Sequence, residues 1–451
     1  MEAETFLSRG YGIRVAIKSQ TGWVAFSTRA RVWQPSRLKG IQVSAEVGTP
    51  FLSATQVFNV HPRPRKWLAL ARTREAANRI VQRGQILVTC SGAVGRATLA
   101  FEPHLKTLIT HDLLRVDATD RVNEGWLYAY LRSPTARAMM ASVKYGHIIK
   151  HLEPSHLDAL PIPDVNEAWQ QHFTCSLAEI LNMRGRAHAA TIAAEKLFSA
   201  ALGGFQTVAT GENGFVVPSM VNCFAGARRL DATRHNPVAM AIVAHLATRG
   251  SNVQPLVDCG YRVWVPGRYK RVPAADGVVF VDSADLFDIN PDLPKRYADC
   301  GFGDEYHGRV ESGWLLVASS GQTYGIVGSA VLATGFYTDK VIANHVIRIA
   351  PRIEKRAPAG YVLTALTHPI FGRPLVKSYA FGSSVPEIAP EDIKRFPIVR
   401  LSRSEEAVIA RLAEESADLR AKADILENKL TEEAEGILGR FIAGDKSDLK
   451  N

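Results

Sequence analysis

The sequence RVWQPSRLK at residues 31–39 recurs as RVWVPGRYK at residues 262–270, an offset of 231 residues. Four more matches follow in the same order, with offsets between 229 and 236 residues. They pair residues 51–58 with 280–287, 84–92 with 313–321, 145–162 with 381–398, and 202–205 with 438–441. A period this long is typical of a duplicated globular unit, because the repeats of solenoid proteins are far shorter. The sequence therefore predicts two similar domains in one chain.

The composition predicts a soluble protein of more than one domain. The chain has 451 residues, of which 46% are hydrophobic and 22% are charged, and this length exceeds what one hydrophobic core usually holds. Its net charge of +10 and its pI near 9.4 indicate a polyanionic partner, either nucleic acid or a membrane surface. No apolar run approaches the roughly 20 residues of a membrane span, and the acidic N-terminus does not resemble a signal peptide. We therefore expect a cytoplasmic protein without a membrane partner.

Each copy follows the same order of predicted elements. A β-rich stretch with glycine turns comes first, and a short amphipathic helix that stops at Pro134 or Pro369 follows. A long helix ends each copy, over about residues 167–201 in copy one and from an N-cap at Ser404 to about residue 439 in copy two. A less repetitive segment, residues 206–255, leads into copy two, and residues 446–451 are predicted to be a frayed tail. The predicted fold class is therefore α+β.

The two long helices carry matching apolar stripes. Apolar or small residues recur every three or four positions over nearly four heptads, which is the spacing of a coiled-coil seam. The side chains are smaller in copy one and mostly leucine in copy two, so the two stripes can interdigitate. We predict that the helices pair as an antiparallel coiled coil roughly 50 Å long. The seam residues are Ile180, Met183, Leu412, Leu419, Leu426 and Leu430.

The sequence contains none of the common catalytic motifs. It has no phosphate-binding P-loop, no G-x-S-x-G elbow, no H-E-x-x-H helix and no Pro-Pro-aromatic motif for amino-methylation of a base. Its five cysteines form no C-x-x-C pair, and the only histidines at ligand spacing, His147 and His151, fall in a predicted loop. We therefore predict a binding protein with no metal and no cofactor. Acidic nuclease patterns are too loose to exclude from sequence, so an undetected nuclease stays an alternative.

With this arrangement the chain resembles the specificity (S) subunits of type I restriction-modification systems. The resemblance rests on three features that both copies share. They are the strand-turn sequence at 86–95 and 315–325, the run from an aromatic-Gly pair to Pro-Ile at 145–163 and 381–398, and the long helix that follows. The resemblance implies two pseudo-symmetric β-rich target-recognition domains, residues 1–163 and 206–400. It also implies two spacer helices within residues 164–205 and 401–445.

The resemblance implies a subunit that reads double-stranded DNA and has no catalysis of its own. In that family each domain reads one half of a split DNA site, two methyltransferase subunits dock on the assembly, and a motor-nuclease subunit can join. Two departures keep an alternative open, namely a non-catalytic protein-interaction scaffold of a related defence system. The RVW element at 31–39 and 262–270 is not typical of the family, and the segment 206–255 is longer than a plain linker.

The DNA-contacting residues are expected among the Arg, Lys and small polar side chains of the repeated motifs, because these types reach phosphates and base edges. The candidates are Arg37, Lys39, Arg63, Arg65, Lys66, Lys144, His147 and Lys150 in copy one, and Arg268, Lys270, Lys377, Ser383 and Ser384 in copy two. The motif glycines are expected to supply turns with positive φ. These are Gly92, Gly95, Gly321 and Gly325. Trp33 and Trp264 are expected to lie in the core.

Overall fold

The computed structural model describes residues 7–143, 151–205, 229, 232–248, 252–299, 302, 308–354 and 356–450. The chain divides into two compact units, of which unit 1 comprises Met1–Gly185 and Lys422–Asn451 and unit 2 comprises Arg186–Ala421. Both units mix helices with strands, which confirms the predicted α+β class. None of the described helices is both long enough and apolar enough to cross a membrane.

Unit 1 contains the first ten strands and the first long helix begins in it. The strands are β1 (Trp23–Ala25), β2 (Ala30–Trp33), β3 (Gln42–Val43), β4 (Thr49–Leu52), β5 (Lys66–Leu68), β6 (Ile86–Thr89), β7 (Ala97–Leu99), β8 (Leu108–Ile109), β9 (Leu113–Ala118) and β10 (Pro161–Pro163). The helices are α1 (Arg9–Ser19), α2 (Ala54–Val57), α3 (Ala76–Arg79), α4 (Glu124–Arg132), α5 (Pro134–Val143), α6 (Pro154–Asp158) and the 36-residue α7 (Glu167–Leu202).

Unit 2 contains the remaining strands, and the second long helix begins in it. The helices are α8 (Pro237–Ala247), α9 (Ala359–Thr367), α10 (Gly372–Ser378), α11 (Pro390–Lys394) and the 40-residue α12 (Arg403–Ile442). The strands are β11 (Val253–Pro255), β12 (Tyr261–Trp264), β13 (Pro273–Val281), β14 (Arg296–Tyr297), β15 (Leu315–Ala318), β16 (Ala330–Leu332), β17 (Val341–Ile342), β18 (Val346–Pro351) and β19 (Pro397–Val399).

The main sheet has the same strand order in both units. The order is β2-β9-β6-β7 in unit 1 and β12-β18-β15-β16 in unit 2, with every neighbouring pair antiparallel. The strands β6 and β15 are buried along their whole length because apolar residues cover both faces of the sheet. In β15, Leu315 and Val317 enter one hydrophobic cluster, whereas Leu316 and Ala318 enter another. The duplication seen in the sequence is thus present in the sheet topology.

A second, smaller sheet differs between the units. It has four strands in unit 1, in the order β3-β5-β4-β8, and three in unit 2, in the order β14-β13-β17. Both versions contain one parallel pair, which aligns Phe51 with Leu108 in unit 1 and Phe280 with Val341 in unit 2. Phe51 and Phe280 are the first residues of the repeated motif at 51–58 and 280–287. The motif therefore forms the shared part of this sheet, and the remaining strands differ.

A buried arginine stands at the same place in each main sheet. Arg115 in β9 and Arg348 in β18 are both fully buried, and each guanidinium donates to three main-chain carbonyls. Arg115 donates to Thr110 at 2.9 Å, as Arg348 does to Ala343. Burial lowers the pKa of both side chains to about 10. The acceptors are the last residue of the preceding strand, the residue after it and the first residue of the arginine's own strand, so each arginine ties the turn between two strands to the sheet.

The long helices pack closely against their units at two glycines. A Cβ atom added to Gly125 in α4 would lie 2.2 Å from the carbonyl carbon of Phe173 in α7. One added to Gly360 in α9 would lie 2.3 Å from the carbonyl oxygen of Ala410 in α12. Contacts this short with backbone atoms are possible only when the side chain is absent. The glycines therefore set how closely each short helix approaches the long helix beside it.

The helices α7 and α12 run antiparallel where they meet in each unit. In unit 1, His172 Nε2 lies 2.7 Å from Glu433 Oε2, whereas Arg184, further along α7, lies 2.8 Å from Glu427. In unit 2, the hydroxyl of Thr191 lies 2.7 Å from that of Ser416. Of the predicted seam residues, Ile180, Leu419 and Leu430 are buried, and Met183, Leu412 and Leu426 are half-buried.

Two predictions are wrong, one on the start of the second long helix and one on the tail that follows it. Helix α12 begins at Arg403 rather than after Ser404, because Ser402 is its cap and accepts a bond from Glu405 N at 3.2 Å. The tail is docked rather than frayed over residues 446–450. Within it, Asp448 O accepts from Asn166 N at 2.9 Å, and Leu449 is buried. Backbone pairing and one apolar side chain therefore order a segment whose composition is that of a free terminus.

The structure also corrects what the sequence suggested for the segment 206–255 and for the two tryptophans of the repeated motif. The segment 206–255 contains helix α8, which packs on α10 as α1 packs on α5, so this part of it is the first helix of copy two. Trp33 and Trp264 are half-buried rather than core residues. They are partly exposed because β2 and β12 are edge strands of the main sheets. The indole Nε1 of Trp33 donates to Asp117 at 2.5 Å.

The close contact at Gly125 predicts a large effect of one added methyl group. We expect Gly125→Ala to lower the free energy of unfolding by about 1–3 kcal/mol, since the clash is with backbone that cannot move aside alone. The matched control is Gly12→Ala in helix α1, where a Cβ meets nothing within 4 Å. That change should raise the stability by up to about 1 kcal/mol through helix propensity. Urea unfolding of both variants tests this, and equal stabilities for the two would contradict it.

Candidate nucleic-acid interface

Two of the repeated motifs come together in unit 2. The turn after β15 and the loop that begins at Phe381 are joined by backbone hydrogen bonds from Ile388 N to Ser319 O at 2.7 Å and from Gly321 N to Pro386 O at 3.0 Å. The side chain of Gln322 adds a bond to Ser384 O at 3.1 Å. Residues about 60 positions apart in the sequence therefore form one surface feature. We call it the unit 2 tip, residues 320–327 and 381–387.

The same contact is present in unit 1 at the base of its turn. Leu152 N donates to Cys90 O at 2.9 Å, as Ile388 N does to Ser319 O, and Ser91 Oγ lies 3.1 Å from His151 Nδ1. The loop candidates Lys144, His147 and Lys150 lie outside the described residues. Burial raises the pKa of the Cys90 thiol to about 11, so this cysteine is not a reactive thiolate. Among the described residues, no His, Cys, Asp and Glu side chains cluster as metal ligands.

The turn is four residues longer in unit 2 than in unit 1. The main-chain bond that closes it runs from Gly95 N to Thr89 O at 2.9 Å in unit 1 and from Gly328 N to Ala318 O at 2.8 Å in unit 2. Gly92, Gly95 and Gly321 have positive φ as predicted, with values of 72°, 85° and 136°. The prediction for Gly325 is wrong, because Gly328 takes this role with φ of 68°. The extra residues hide the correct match from an ungapped alignment.

The unit 2 tip exposes three large apolar side chains. Tyr324 is 63% exposed, Phe381 is 41% exposed and Val385 is 57% exposed. The sequence motif pointed to the polar neighbours Ser383 and Ser384, which are exposed beside them, and to Lys377, which is half-buried at the end of α10. The pattern of the sequence gives no sign that the apolar residues of this loop stay outside the core.

In unit 1, the basic candidates gather at the smaller sheet. Arg37 and Lys39 follow β2, and Lys39 O accepts from Arg74 N at 2.9 Å, which holds this segment beside the chain that leaves β5. Lys66 begins β5, and Arg65 precedes it. All four side chains are exposed, whereas Arg63 is half-buried. The structure therefore brings two clusters from different parts of the sequence to one region.

In unit 2, the basic candidates also lie at the smaller sheet. Arg268 and Lys270 are exposed and precede β13. Next to them, Arg271 bonds to Asn344 at 3.1 Å, and its guanidinium lies 4.9 Å from the centre of the Phe280 ring. Within the described part of the chain, Arg37, Lys39, Arg268 and Lys270 form no ion pair with a carboxylate. Their charge is available to a polyanion.

A buried ion-pair cluster lies in the helix seam of unit 1. Arg184 of α7 and Glu427 of α12 are both buried, and their side chains meet at 2.8 Å. Glu427 also accepts from the Tyr128 hydroxyl and lies 3.7 Å from Arg132. Burial lowers the pKa of Arg184, but the Glu427 carboxylate more than offsets this, so the pKa lies above its ordinary value. Burial also raises the pKa of Asp424, 3.3 Å from Arg184, to about 6.

The seam cluster predicts a strong coupling between its two central charges. We expect Glu427→Leu to cost roughly 3–5 kcal/mol of stability, because it leaves the Arg184 charge buried without its main partner. The double change Arg184→Met with Glu427→Leu should recover at least half of that loss, since no central charge then stays unpaired.

An exposed pair in the neighbouring turn supplies the control. Arg186 lies 3.3 Å from Glu415, and their side chains are 58% and 38% exposed. Glu415→Leu should cost less than about 1 kcal/mol, because solvent screens this pair. Urea unfolding of the three variants measures the coupling, and a double variant no more stable than Glu427→Leu alone would show that the two charges are not coupled.

No family model matches the chain, and no curated protein matches it. Among solved structures, the S subunit of a type I restriction-modification system from M. genitalium is similar over 93% of this chain and 94% of its own, at 13% identity and a TM-score of 0.27. The HsdS subunit from Thermoanaerobacter tengcongensis is similar over 94% and 97%, at 15% identity and a TM-score of 0.26. The type IIG restriction endonuclease BpuSI is similar over 38% of this chain and 28% of its own, at 12% identity and a TM-score of 0.28. Two of these three structures are S subunits, and the similarity to each covers more than 90% of both chains.

Proposed function

We propose that the chain is a sequence-specific DNA-binding subunit that reads a bipartite duplex site. The observation that carries this proposal is the repetition of one surface in two units. Each unit has the same main sheet, a glycine turn bonded to a second loop, and exposed cations at its smaller sheet. Two related readers in one chain suit a site with two half-sites. Because the readers differ in sequence, the half-sites should differ too.

The long helices suit the role of a spacer between two readers. Each is a single continuous element, of 36 and 40 residues, and each has one segment in unit 1 and one in unit 2. In DNA-binding proteins with two readers, the distance between half-sites follows from the geometry of the protein. We therefore infer a fixed gap of unspecified bases between the two half-sites.

The proposed partners are two methyltransferase subunits, with a motor-nuclease subunit as a further component. The chain supplies the recognition of DNA and no catalysis, and it acts in the cytoplasm. The net charge of +10 supports a polyanionic target, and a binding subunit without catalytic motifs needs a partner for chemistry. The competing function is a protein-interaction scaffold, which the exposed apolar residues of the unit 2 tip also suit.

The first experiment is co-expression with a methyltransferase encoded beside the chain, followed by sequencing of methylated bases in the host DNA. We expect a new methylated motif with two short, different half-sites and a constant gap. Deleting whole helical turns from α7 and α12 together should shorten that gap. An assembled complex that adds no methylation would remove methyltransferase direction from the proposal, and duplex binding by the same complex would then decide between DNA reader and scaffold.

The exposed cations predict the salt dependence of binding. Neutralising Arg37 and Lys39 together, or Arg268 and Lys270 together, should weaken duplex binding and reduce the slope of log affinity against log salt by about 1–2. Phosphate contacts predict the same loss on all sequences, whereas base contacts predict relaxed specificity in one half-site.

The control is the double change Arg186→Gln and Lys196→Gln, which removes two exposed cations of helix α7. It should leave the slope unchanged. Slopes measured by fluorescence anisotropy between 50 and 300 mM salt decide the matter, with complex assembly checked for each variant. If charge reversal at Arg37 or Arg268 left DNA binding intact and broke assembly instead, the scaffold function would be favoured.

A further inference from the structure

The root of the Phe381 loop is held in place by residues from before helix α8. The guanidinium of Arg229 donates to Tyr379 O at 2.6 Å and to Ala380 O at 3.1 Å, and it pairs with Asp392 at 3.2 Å. The hydroxyl of Thr233 also donates to Ala380 O, at 2.9 Å. The backbone that leads to Phe381 is therefore fixed from one side before the loop leaves the unit.

The same guanidinium fixes the orientation of the aromatic ring. Arg229 lies 5.0 Å from the centre of the Phe381 ring, at a distance typical of a cation–π contact. Phe381 and Glu387 exchange both main-chain hydrogen bonds, at 2.9 and 2.8 Å, and this closes the loop. Gly382, with φ of 95°, makes the bend, and Val385 stands 57% exposed within it. A ring held this way loses little side-chain freedom on binding a ligand.

The unit 2 tip is poor in acidic residues, which suits a polyanion. The sequence has no Asp or Glu between residues 312 and 338 or between residues 355 and 386, and the one acidic residue of the tip is the exposed Glu387 at its end. Lys377 and the exposed Ser383 and Ser384 lie in the second stretch. Proteins that bend DNA insert apolar side chains such as Phe between base steps, with cations on the flanking phosphates.

We propose that the unit 2 tip is a wedge that inserts Phe381, with Val385 beside it, into a base step of the half-site read by unit 2. The inference rests on the proposed function, and it adds a mode of reading. One half-site is recognised partly by how readily its DNA unstacks. We assign the wedge to unit 2, where the longer turn adds the exposed Tyr324 beside Phe381; the equivalent aromatic of copy one, Tyr145, lies outside the described residues.

The test uses the full chain in complex with its methyltransferase and a duplex that carries its methylated motif. 2-Aminopurine replaces one base at a time across both half-sites, because its fluorescence rises when it loses stacking. We expect a rise at one step of a single half-site with the natural chain. Phe381→Ala and Val385→Ser should each reduce that rise, and Phe381→Ala should weaken specific binding about 5- to 150-fold. Phe381→Tyr, which keeps the ring, should retain both signals.

The matched control is Ile353→Ala, which removes another exposed apolar side chain of unit 2, 51% exposed. It should leave fluorescence and affinity unchanged. If the natural complex binds its motif but Phe381→Ala changes neither signal, the wedge is wrong and the DNA-reading function stands. If Phe381→Ala prevents assembly with the methyltransferase, the tip is a protein contact and the wedge is again wrong. If the natural complex shows no sequence preference, the DNA-reading function fails, and the wedge fails with it.

Discussion

The antiparallel contact of the two long helices is the constraint on which both units depend. The core of unit 1 includes Leu430, Ile437 and Phe441 from the end of the chain, all about 1% exposed. The core of unit 2 includes Ala194, Phe198 and Leu202 from the end of the first long helix. Each unit is therefore completed by a helix that starts in the other half of the sequence. Each unit therefore buries part of its apolar surface against that helix.

The two copies share the same buried contacts, both at the long helices and in the main sheets. Gly125 and Gly360 each admit a long helix to close contact, and Arg115 and Arg348 each hold a turn to the main sheet with three carbonyl bonds. A side chain in place of either glycine would displace a helix that both units share. These positions are tied to the whole fold, so substitution there is more costly than at a position that serves only one unit.

The copies differ at the surface around the edge strand of the main sheet. Asp117 of unit 1 accepts from Trp33 and from Gln85 at 2.6 Å, and these residues line an open cleft of about 640 Å³. In unit 2 the indole of Trp314 occupies the place of Gln85 and packs against Trp264, with ring centres 5.3 Å apart. The turn length and the smaller sheet also differ. A common interior with divergent surfaces is what two readers of different ligands require.

The sequence predicted the long helices to within a few residues because their apolar stripes repeat over many turns. It did not predict the seam cluster, because Arg184 and Glu427 are residue types that normally face solvent, and only the partner helix buries them. The shared position of Arg115 and Arg348 could have been predicted, since each interrupts an apolar strand at an offset of 233. The exposure of Phe381 could not have been predicted from the sequence, because it depends on the bonds of Arg229 and Thr233 to the root of the loop. Local patterns thus give the elements, whereas buried charges and exposed rings follow from tertiary contacts.

The proposed wedge would let unit 2 read its half-site by a physical rule other than base-edge hydrogen bonding. Base-edge contacts by polar side chains discriminate through hydrogen bonds, and a mismatch leaves a donor or acceptor unpaired. An inserted ring discriminates through the cost of unstacking, which is lowest at flexible pyrimidine–purine steps whatever their hydrogen-bonding groups. The half-site of unit 2 should therefore tolerate exchange between such steps better than a site read only through base-edge hydrogen bonds does. Because Phe381 is oriented by Arg229 and not by the long helices, this mode of reading can change without disturbing the spacing of the site.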